Sequence, residues 1–136
     1  MEIKWDKKFE LGVERIDHEH RVFVDLIHNA ARAAQDGSPV ERILRLLGEI
    51  RKYAEFHFYS EENIMIDIAY PGYDDHREDH SMLLARLDDM QFNYRNGIID
   101  LDNVVEFLYE WFAMHTTRVD SQIADYLDRH PPTTRI

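Results

Sequence analysis

The chain of 136 residues contains no cysteine, and this absence excludes a whole group of sites. Without thiols there are no disulfides, iron–sulfur clusters or thiolate zinc sites. No apolar run approaches the length of a membrane span, and the N-terminal stretch lacks the hydrophobic segment of a signal peptide. The sequence therefore predicts a soluble cytoplasmic domain with no membrane insertion.

Basic residues are few relative to acidic ones. The chain has 16 Lys and Arg against 27 Asp and Glu, which gives a formal net charge of -11. A surface of this sign repels phosphates, so nucleic acid and anionic membranes are not expected partners.

No stretch alternates as a β-strand does, whereas apolar residues recur every three or four positions. Asp17 is a plausible N-cap for a first helix, which Gly37 ends. Ser38 is predicted to cap the second helix, with Pro39 in its first position. We expect an all-α, antiparallel up-down four-helix bundle, with one domain spanning 1–136. The predicted elements are an extended N-terminal arm over 1–15 and helices over 17–35, 39–68, 74–95 and 101–128.

Polar groups interrupt each predicted apolar stripe. His76 and His80 are four residues apart, so both rings leave one helix face. The full set is His20 on the first helix, His57 and Glu61 on the second, His76 and His80 on the third, and His115 and Asp120 on the fourth. Buried carboxylates and imidazoles need partners, and no Lys or Arg lies on these stripes. One metal centre would satisfy all seven side chains together.

The ligand types limit the metal without fixing it. Imidazoles and carboxylates without thiolate suit iron, manganese, copper or zinc. Seven ligands exceed what one ion uses comfortably, so two ions bridged by carboxylates fit better. No Glu is followed three residues later by His, which disfavours the ferritin-like class of di-iron bundle.

Four short patterns in the chain match those of a known family. They are "ID-x-x-H" (16–20), "HF-x-x-E" (57–61), "YP" followed by "H-x-x-x-H" (70–80), and "W-x-x-x-H-x-x-x-x-D" (111–120). In order and spacing, over nearly the whole chain, the sequence resembles the hemerythrins, most closely the bacteriohemerythrins.

The resemblance implies a role for each predicted ligand. One iron would be held by His76, His80 and His115, and the other by His20 and His57. Glu61 and Asp120 would bridge the two iron ions (Fe2+/Fe3+), with an oxo or hydroxo group as a third bridge. Dioxygen would bind at the open position of the two-histidine iron.

Residues next to the ligands are expected to form the ligand pocket, namely Phe23, Phe58, Trp111, Phe112 and Thr116. The family usually has Ile or Leu where this chain has Thr116. A hydroxyl there would hydrogen-bond a bound ligand or admit water, which favours sensing over long storage. The alternative is that Thr116 bonds its own helix carbonyl four residues back. Four residues without an implied role are expected at the surface: Asp74, His18, His28 and His130.

The resemblance implies reversible dioxygen binding by a carrier or store that is not an enzyme. The main alternative is an oxygen or redox sensor domain of a signalling protein. Iron handling, nitric oxide binding and di-iron oxidase chemistry are weaker alternatives. A signalling or redox partner protein stays open, as does the oligomeric state.

Overall fold

The computed structural model describes residues 5–131, and between these residues it contains helices and no strand. The four long helices of the bundle are α1 (Glu14–Gln35), α2 (Val40–Asp67), α3 (Tyr73–Arg95) and α4 (Leu101–His115). A 3-10 helix (Lys7–Phe9) precedes them, and a π-helical turn (Thr116–Asp120) and α5 (Ser121–Arg129) follow. The predicted all-α bundle is confirmed. The outermost parts of the predicted arm and domain, 1–4 and 132–136, lie outside the described residues.

Short connections make consecutive helices antiparallel neighbours. α1 packs against both α2 and α4, and α2 packs against α3. Two buried apolar clusters form along the bundle. The larger includes Phe23, Leu47, Phe58 and Leu108, and the smaller consists of Ile16, Ile64, Met65 and Ile123. None of the helices within residues 5–131 is apolar over a stretch long enough to cross a bilayer.

The start of α1 differs from the prediction. The helix begins at Glu14, and the prediction that Asp17 is its N-cap is wrong. The Asp17 carboxylate instead accepts the backbone N–H groups of Leu11 (2.8 Å) and Gly12 (3.0 Å). Because its carboxylate reaches back from the first turn, Asp17 ties the arm to the helix. The arm is not extended throughout, since Lys7–Phe9 forms a 3-10 turn.

The start of α2 also differs. Pro39 is the N-cap and Val40 the first helical residue, so the prediction that Ser38 caps this helix is wrong. The backbone N–H of Ser38 donates to the Ala33 carbonyl at 3.0 Å, which closes the end of α1. Ser38 therefore belongs to the C-terminal cap of the preceding helix. α3 begins one residue before the predicted start, with Gly72 as its N-cap.

The fourth predicted helix is interrupted. It was expected to run unbroken over 101–128, but α4 stops at His115 and a π-helical turn precedes α5. Two hydroxyls support the wider turn. Thr117 donates to the Ala113 carbonyl and Ser121 donates to the Thr117 carbonyl, each at 2.7 Å. Hydroxyls that bond carbonyls one turn back locally distort the α-helical ladder.

Candidate metal centre

The seven side chains predicted to act as ligands meet in one buried cluster between the two apolar clusters. None is more than 5% exposed. Their candidate ligand atoms form two groups, each with its atoms within 4.8 Å of one another. One group contains Glu61, His76, His80, His115 and Asp120, and the other contains His20, His57, Glu61 and Asp120. Both carboxylates are therefore common to the two groups.

Helical spacing explains most of this convergence. On α2, His57 and Glu61 are four residues apart and share a face. On α3, His76 and His80 are also four residues apart and share a face. His115 and Asp120 are five residues apart, which in an α-helix would turn them away from each other by about 140°. The π-helical turn takes up the extra residue, because its hydrogen bonds join residues five apart. His115 Nε2 consequently lies 3.1 Å from Asp120 Oδ1.

Several atoms in the cluster are close together without being hydrogen-bonded. His76 Nε2 and His115 Nε2 lie 2.9 and 3.1 Å from Asp120 Oδ1. Asp120 Oδ1, His115 Nε2 and Glu61 Oε2 nevertheless have no hydrogen-bond partner within residues 5–131. Buried polar atoms without partners are costly. Metal ions bound among these nitrogen and oxygen atoms would supply the missing partners.

Two further buried or half-buried carboxylates contact the outer nitrogens of the histidines. Glu19 Oε1 lies 2.8 Å from His57 Nδ1, and Glu19 Oε2 accepts from Ser60 Oγ at 2.9 Å. Glu62 Oε2 lies 2.9 Å from His80 Nδ1. A carboxylate on Nδ1 fixes the tautomer and directs Nε2 inward, as in many metal sites.

Glu19 and Glu62 were not predicted from the sequence. Each follows or precedes a predicted ligand by one residue and looks like an ordinary helix-surface charge. The one available signal was that Glu19 is three residues after Ile16, at the edge of the apolar stripe of α1.

Aromatic rings hold two of the imidazoles in place. Phe58 stacks on His80 with ring centroids 3.9 Å apart and planes 6° from parallel. Trp111 stacks on His115 at 4.3 Å and 14°. These contacts restrict rotation of the imidazole rings and remove water from one face of each.

A small cavity adjoins the cluster on the side of His20 and His57. Measured as room for the centre of a water-sized sphere, its volume is about 10 Å³. That is close to the smallest space that holds one water molecule. Its walls include all five predicted pocket residues: Phe23, Phe58, Trp111, Phe112 and Thr116. Of the predicted ligands, His20, His57, His115 and Asp120 also line it.

Thr116 does not bond its own helix. The side chain is 1% exposed, and its Oγ1 has no hydrogen-bond partner within the described chain. The alternative expectation, a bond to the carbonyl four residues back, is wrong for Thr116 and describes Thr117 instead.

Both central carboxyl groups are held in their ionised form. Burial alone, and the charge of Asp120, would raise the pKa of Glu61, but close contacts with His57, His76 and His80 lower it well below its ordinary value. Burial likewise opposes ionisation of Asp120, but the charge of His115 and its neighbouring imidazoles lower its pKa well below normal.

Two of the histidines facing these carboxylates, His57 and His76, have correspondingly raised pKa values. Burial lowers the pKa of His57, but contacts with Glu19 and Glu61 outweigh burial and raise it to about 10. Burial also lowers the pKa of His76, which Asp120 and Glu61 raise to about 10. Raised pKa values on the two imidazoles and lowered pKa values on the two carboxyl groups are the pattern of buried ion pairs.

The four residues without an implied role lie away from the cluster. Asp74, His18 and His130 are exposed, as expected, and His28 is half-buried. None of the four belongs to a candidate ligand group among residues 5–131.

Comparison with known proteins agrees with this arrangement. Residues 11–127 match the family model of the hemerythrin HHE cation binding domain. A bacteriohemerythrin of Clostridium acetobutylicum is 27% identical over 128 residues, covering 89% of this chain and 98% of that protein. Hemerythrin subunit 1 of Golfingia vulgaris is 32% identical over 84 residues, covering 62% of this chain and 67% of its own.

A similar fold occurs among solved structures. The crystal structure of a wild-type hemerythrin matches with a TM-score of 0.82 at 24% identity, covering 93% of this chain and 98% of that one. At this level of identity the likeness concerns the fold.

Proposed function

The chain belongs to the hemerythrin HHE cation binding domain family, and from that premise we propose that it binds dioxygen reversibly at a non-haem di-iron centre. The observation that carries the proposal is that two groups of ligand atoms share Glu61 and Asp120. Two independent sites have no need of shared residues, whereas two ions side by side are naturally bridged by carboxylates. The absence of cysteine and the five imidazoles are compatible with iron.

The two groups differ in their number of histidines, and this asymmetry supports a ligand site. We assign His76, His80 and His115 to one iron, and His20 and His57 to the other. The second iron would have one protein ligand fewer, which would leave it room for an exogenous ligand. The cavity is lined by both histidines assigned to the second iron, His20 and His57, and by one of the three assigned to the first, His115. A space for about one small molecule beside the less crowded iron is what dioxygen binding requires.

The chain's own residues set the conditions for reversibility. Bound iron supplies reversible electron transfer to and from the ligand. The shared carboxylates offset the positive charge of the ions in the bundle core. Phe23, Phe58 and Phe112, which are buried, line the cavity with hydrocarbon and keep bulk water out. A dry site limits the side reactions that would make ligand release irreversible.

The direct test is metal content and colour. After expression in iron-rich medium, elemental analysis is expected to give two irons per chain. The visible spectrum of the reduced protein should change on exposure to air and return when oxygen is removed. One metal per chain, zinc as the only metal, or a spectrum that changes once and never returns would contradict the proposal.

Glu61→Ala tests the proposed bridge. The substitution removes the carboxylate that contacts His57, His76 and His80, so iron should be lost and the fold weakened. Removing the partner of a buried polar group typically costs about 1–3 kcal/mol, and more where charge is involved. Glu78→Ala, at an exposed position on α3, is the control. Full iron content and unchanged melting in Glu61→Ala would remove Glu61 from the bridging role.

An oxygen or redox sensor is the second candidate. It is favoured by Thr116, which brings a hydroxyl to a cavity otherwise walled by aromatic rings and predicted ligands. A short-lived oxygenated complex suits a sensor, whereas a store needs a long-lived one. Stopped-flow decay of the oxygenated form therefore separates the two functions.

A further inference from the structure

The wall of the cavity contains one polar side chain that is not a predicted ligand. Among the described residues that line it, four are aromatic, four are predicted ligands, and the ninth is Thr116. Hydrophobic cavities of this size have no need of a hydroxyl, and an Ile or Val would fill the same space without a polar atom.

The Thr116 hydroxyl has no hydrogen-bond partner among the residues that the structure describes. Its Oγ1 is buried and makes no hydrogen bond in residues 5–131. A buried, unpaired hydroxyl destabilises a fold, and helical threonines normally avoid this by bonding the carbonyl four residues back. The adjacent Thr117 does so, donating to the Ala113 carbonyl at 2.7 Å. The same option exists for both threonines, so the unpaired state of Thr116 calls for a partner from outside the chain.

We propose that the Thr116 hydroxyl donates a hydrogen bond to the small ligand held in the cavity, and thereby sets the ligand affinity and preference of the site. This inference rests on the proposed di-iron function. The ligand class is a diatomic or triatomic molecule that carries negative charge when bound, such as dioxygen after electron transfer or a small anion. A donor in a dry, low-dielectric cavity favours such a ligand over one that stays neutral.

The position of Thr116 in the chain suits this role. It directly follows His115 and is the first residue of the π-helical turn that brings Asp120 to the cluster. Its backbone position is thus constrained by His115 and Asp120, which both belong to the site. A donor held in this way needs little reorganisation when a ligand enters.

Azide is a suitable probe, because it is a small anion that binds ferric ions. Azide is titrated into the iron-loaded, oxidised protein at one pH and followed by absorbance. Thr116→Val is nearly isosteric but has no donor, and we expect it to bind azide about tenfold more weakly, as befits one lost hydrogen bond to a charged acceptor. Thr116→Ser restores the hydroxyl and should recover most of the affinity. Glu78→Gln, at an exposed position on α3, is the control, with unchanged affinity expected.

A vibrational measurement gives a second readout. The infrared stretch of bound azide should shift between H2O and D2O in the wild type and in Thr116→Ser, and not in Thr116→Val. A purely structural role for Thr116 would not produce this pattern. Equal azide affinities together with equal solvent shifts in wild type and Thr116→Val would overturn the inference, because the hydroxyl would then have another partner, such as a cavity water.

Folding of the variant is checked separately. Metal-free Thr116→Val should melt at the same temperature as the wild type or higher, because it lacks the unpaired hydroxyl. Normal iron content with unaltered azide binding in Thr116→Val contradicts this inference alone. A wild-type protein that takes up no iron contradicts the proposed function and, with it, this inference.

Discussion

At the scale of single residues, carboxylates beside the cluster orient the histidines that are predicted to bind metal. His57 has one ring nitrogen on Glu19 (2.8 Å) and the other 3.4 Å from Glu61. Glu19 is therefore the group that decides which nitrogen of His57 faces the centre. Burial raises the pKa of Glu19, but its contacts with His57 and Ser60 outweigh burial and lower it, so the carboxylate stays charged.

Glu19→Gln should weaken metal binding without removing a ligand. The amide still fits beside His57 but carries no charge, so it makes the imidazole less basic and no longer fixes one tautomer. Loss of such a contact typically reduces metal affinity about 10- to 100-fold. Competition with a chromophoric chelator measures the change, and Glu78→Gln at an exposed site is the control. Equal affinities for all three proteins would show that Glu19 does not tune the site.

At the scale of elements, three of the long helices end with the same motif, and the backbone at the end of α2 is strained. After α1, α2 and α3 the chain enters the left-handed region, at Gly37 (φ 79), Ala69 (φ 53) and Gly97 (φ 71). Each end closes with a backbone bond spanning five residues, such as Tyr70 N–H to the Met65 carbonyl at 2.9 Å. This is the Schellman motif, in which glycine is preferred because a Cβ is unfavourable there.

Ala69→Gly should therefore stabilise the protein. Removing the Cβ relieves the left-handed conformation, and the gain exceeds the added entropy of the unfolded chain, for a net effect of up to about 1 kcal/mol. Gly37→Ala is the mirror experiment. Apart from its chain neighbours, no atom of residues 5–131 lies within 4 Å of the position its Cβ would take, so only backbone strain opposes it, and it should destabilise by a similar amount. Chemical denaturation measures both. A loss of stability in Ala69→Gly would mean that the methyl group contributes more than the strain costs.

The π-helical turn shows where element prediction from sequence stops. The apolar spacing of Val104, Leu108 and Trp111 correctly indicates a helix up to the site. Beyond it, the five-residue step from His115 to Asp120 does not fit an α-helix that presents both to one face. The step itself was visible in the sequence. The local structure of this step could not be predicted, because one inserted residue can be accommodated by a π turn, a kink or a break with similar local propensities.

At the scale of the whole molecule, the sequence was sufficient for the bundle and for the seven converging side chains. Long-range features were harder to predict. Glu19 contacts Ser60, 41 positions away, and nothing in its neighbours' spacing indicates which helix it will meet. The predicted N-caps Asp17 and Ser38 were wrong because each residue hydrogen-bonds to backbone that precedes it. An N-cap side chain bonds instead to the helix that follows it. Periodicity determines which face is buried, whereas partner choice across helices depends on packing.

The placement of the charged cluster also links metal content to global stability. The cluster lies in the bundle between two apolar clusters, so its carboxylates cannot reach bulk water when metal is absent. In that state the imidazolium protons of His57 and His76 balance them, and metal uptake must displace these protons. Under the proposed function, the bundle would hold one of two sets of cations, protons or metal ions, and pH would select between them.

The metal-free protein should consequently lose stability in alkaline solution. The pKa values of His57 and His76 are raised from 6.5 to about 10 in the folded state, so their stabilising effect is complete below about pH 6.5 and is lost as pH rises through about 10. Glu61 and Asp120 have lowered pKa values, so their contribution is present above about pH 4 and falls away in acid. We expect the melting temperature of chelator-treated protein to peak near pH 5–6 and to drop by about 5–10 °C toward pH 10.

The metal-loaded protein is the matched control for that profile. Its carboxylates are neutralised by metal rather than by protons, so its melting temperature should change much less between about pH 6 and pH 9. The general repulsion that follows from the formal net charge of -11 affects both forms alike, and the difference between the two curves isolates the cluster. In metal-free Glu61→Gln, which lacks one carboxylate, the alkaline decline should be shallower. Parallel curves for the loaded and metal-free proteins would show instead that the buried histidines are neutral without metal, and that proton displacement plays no part in metal uptake.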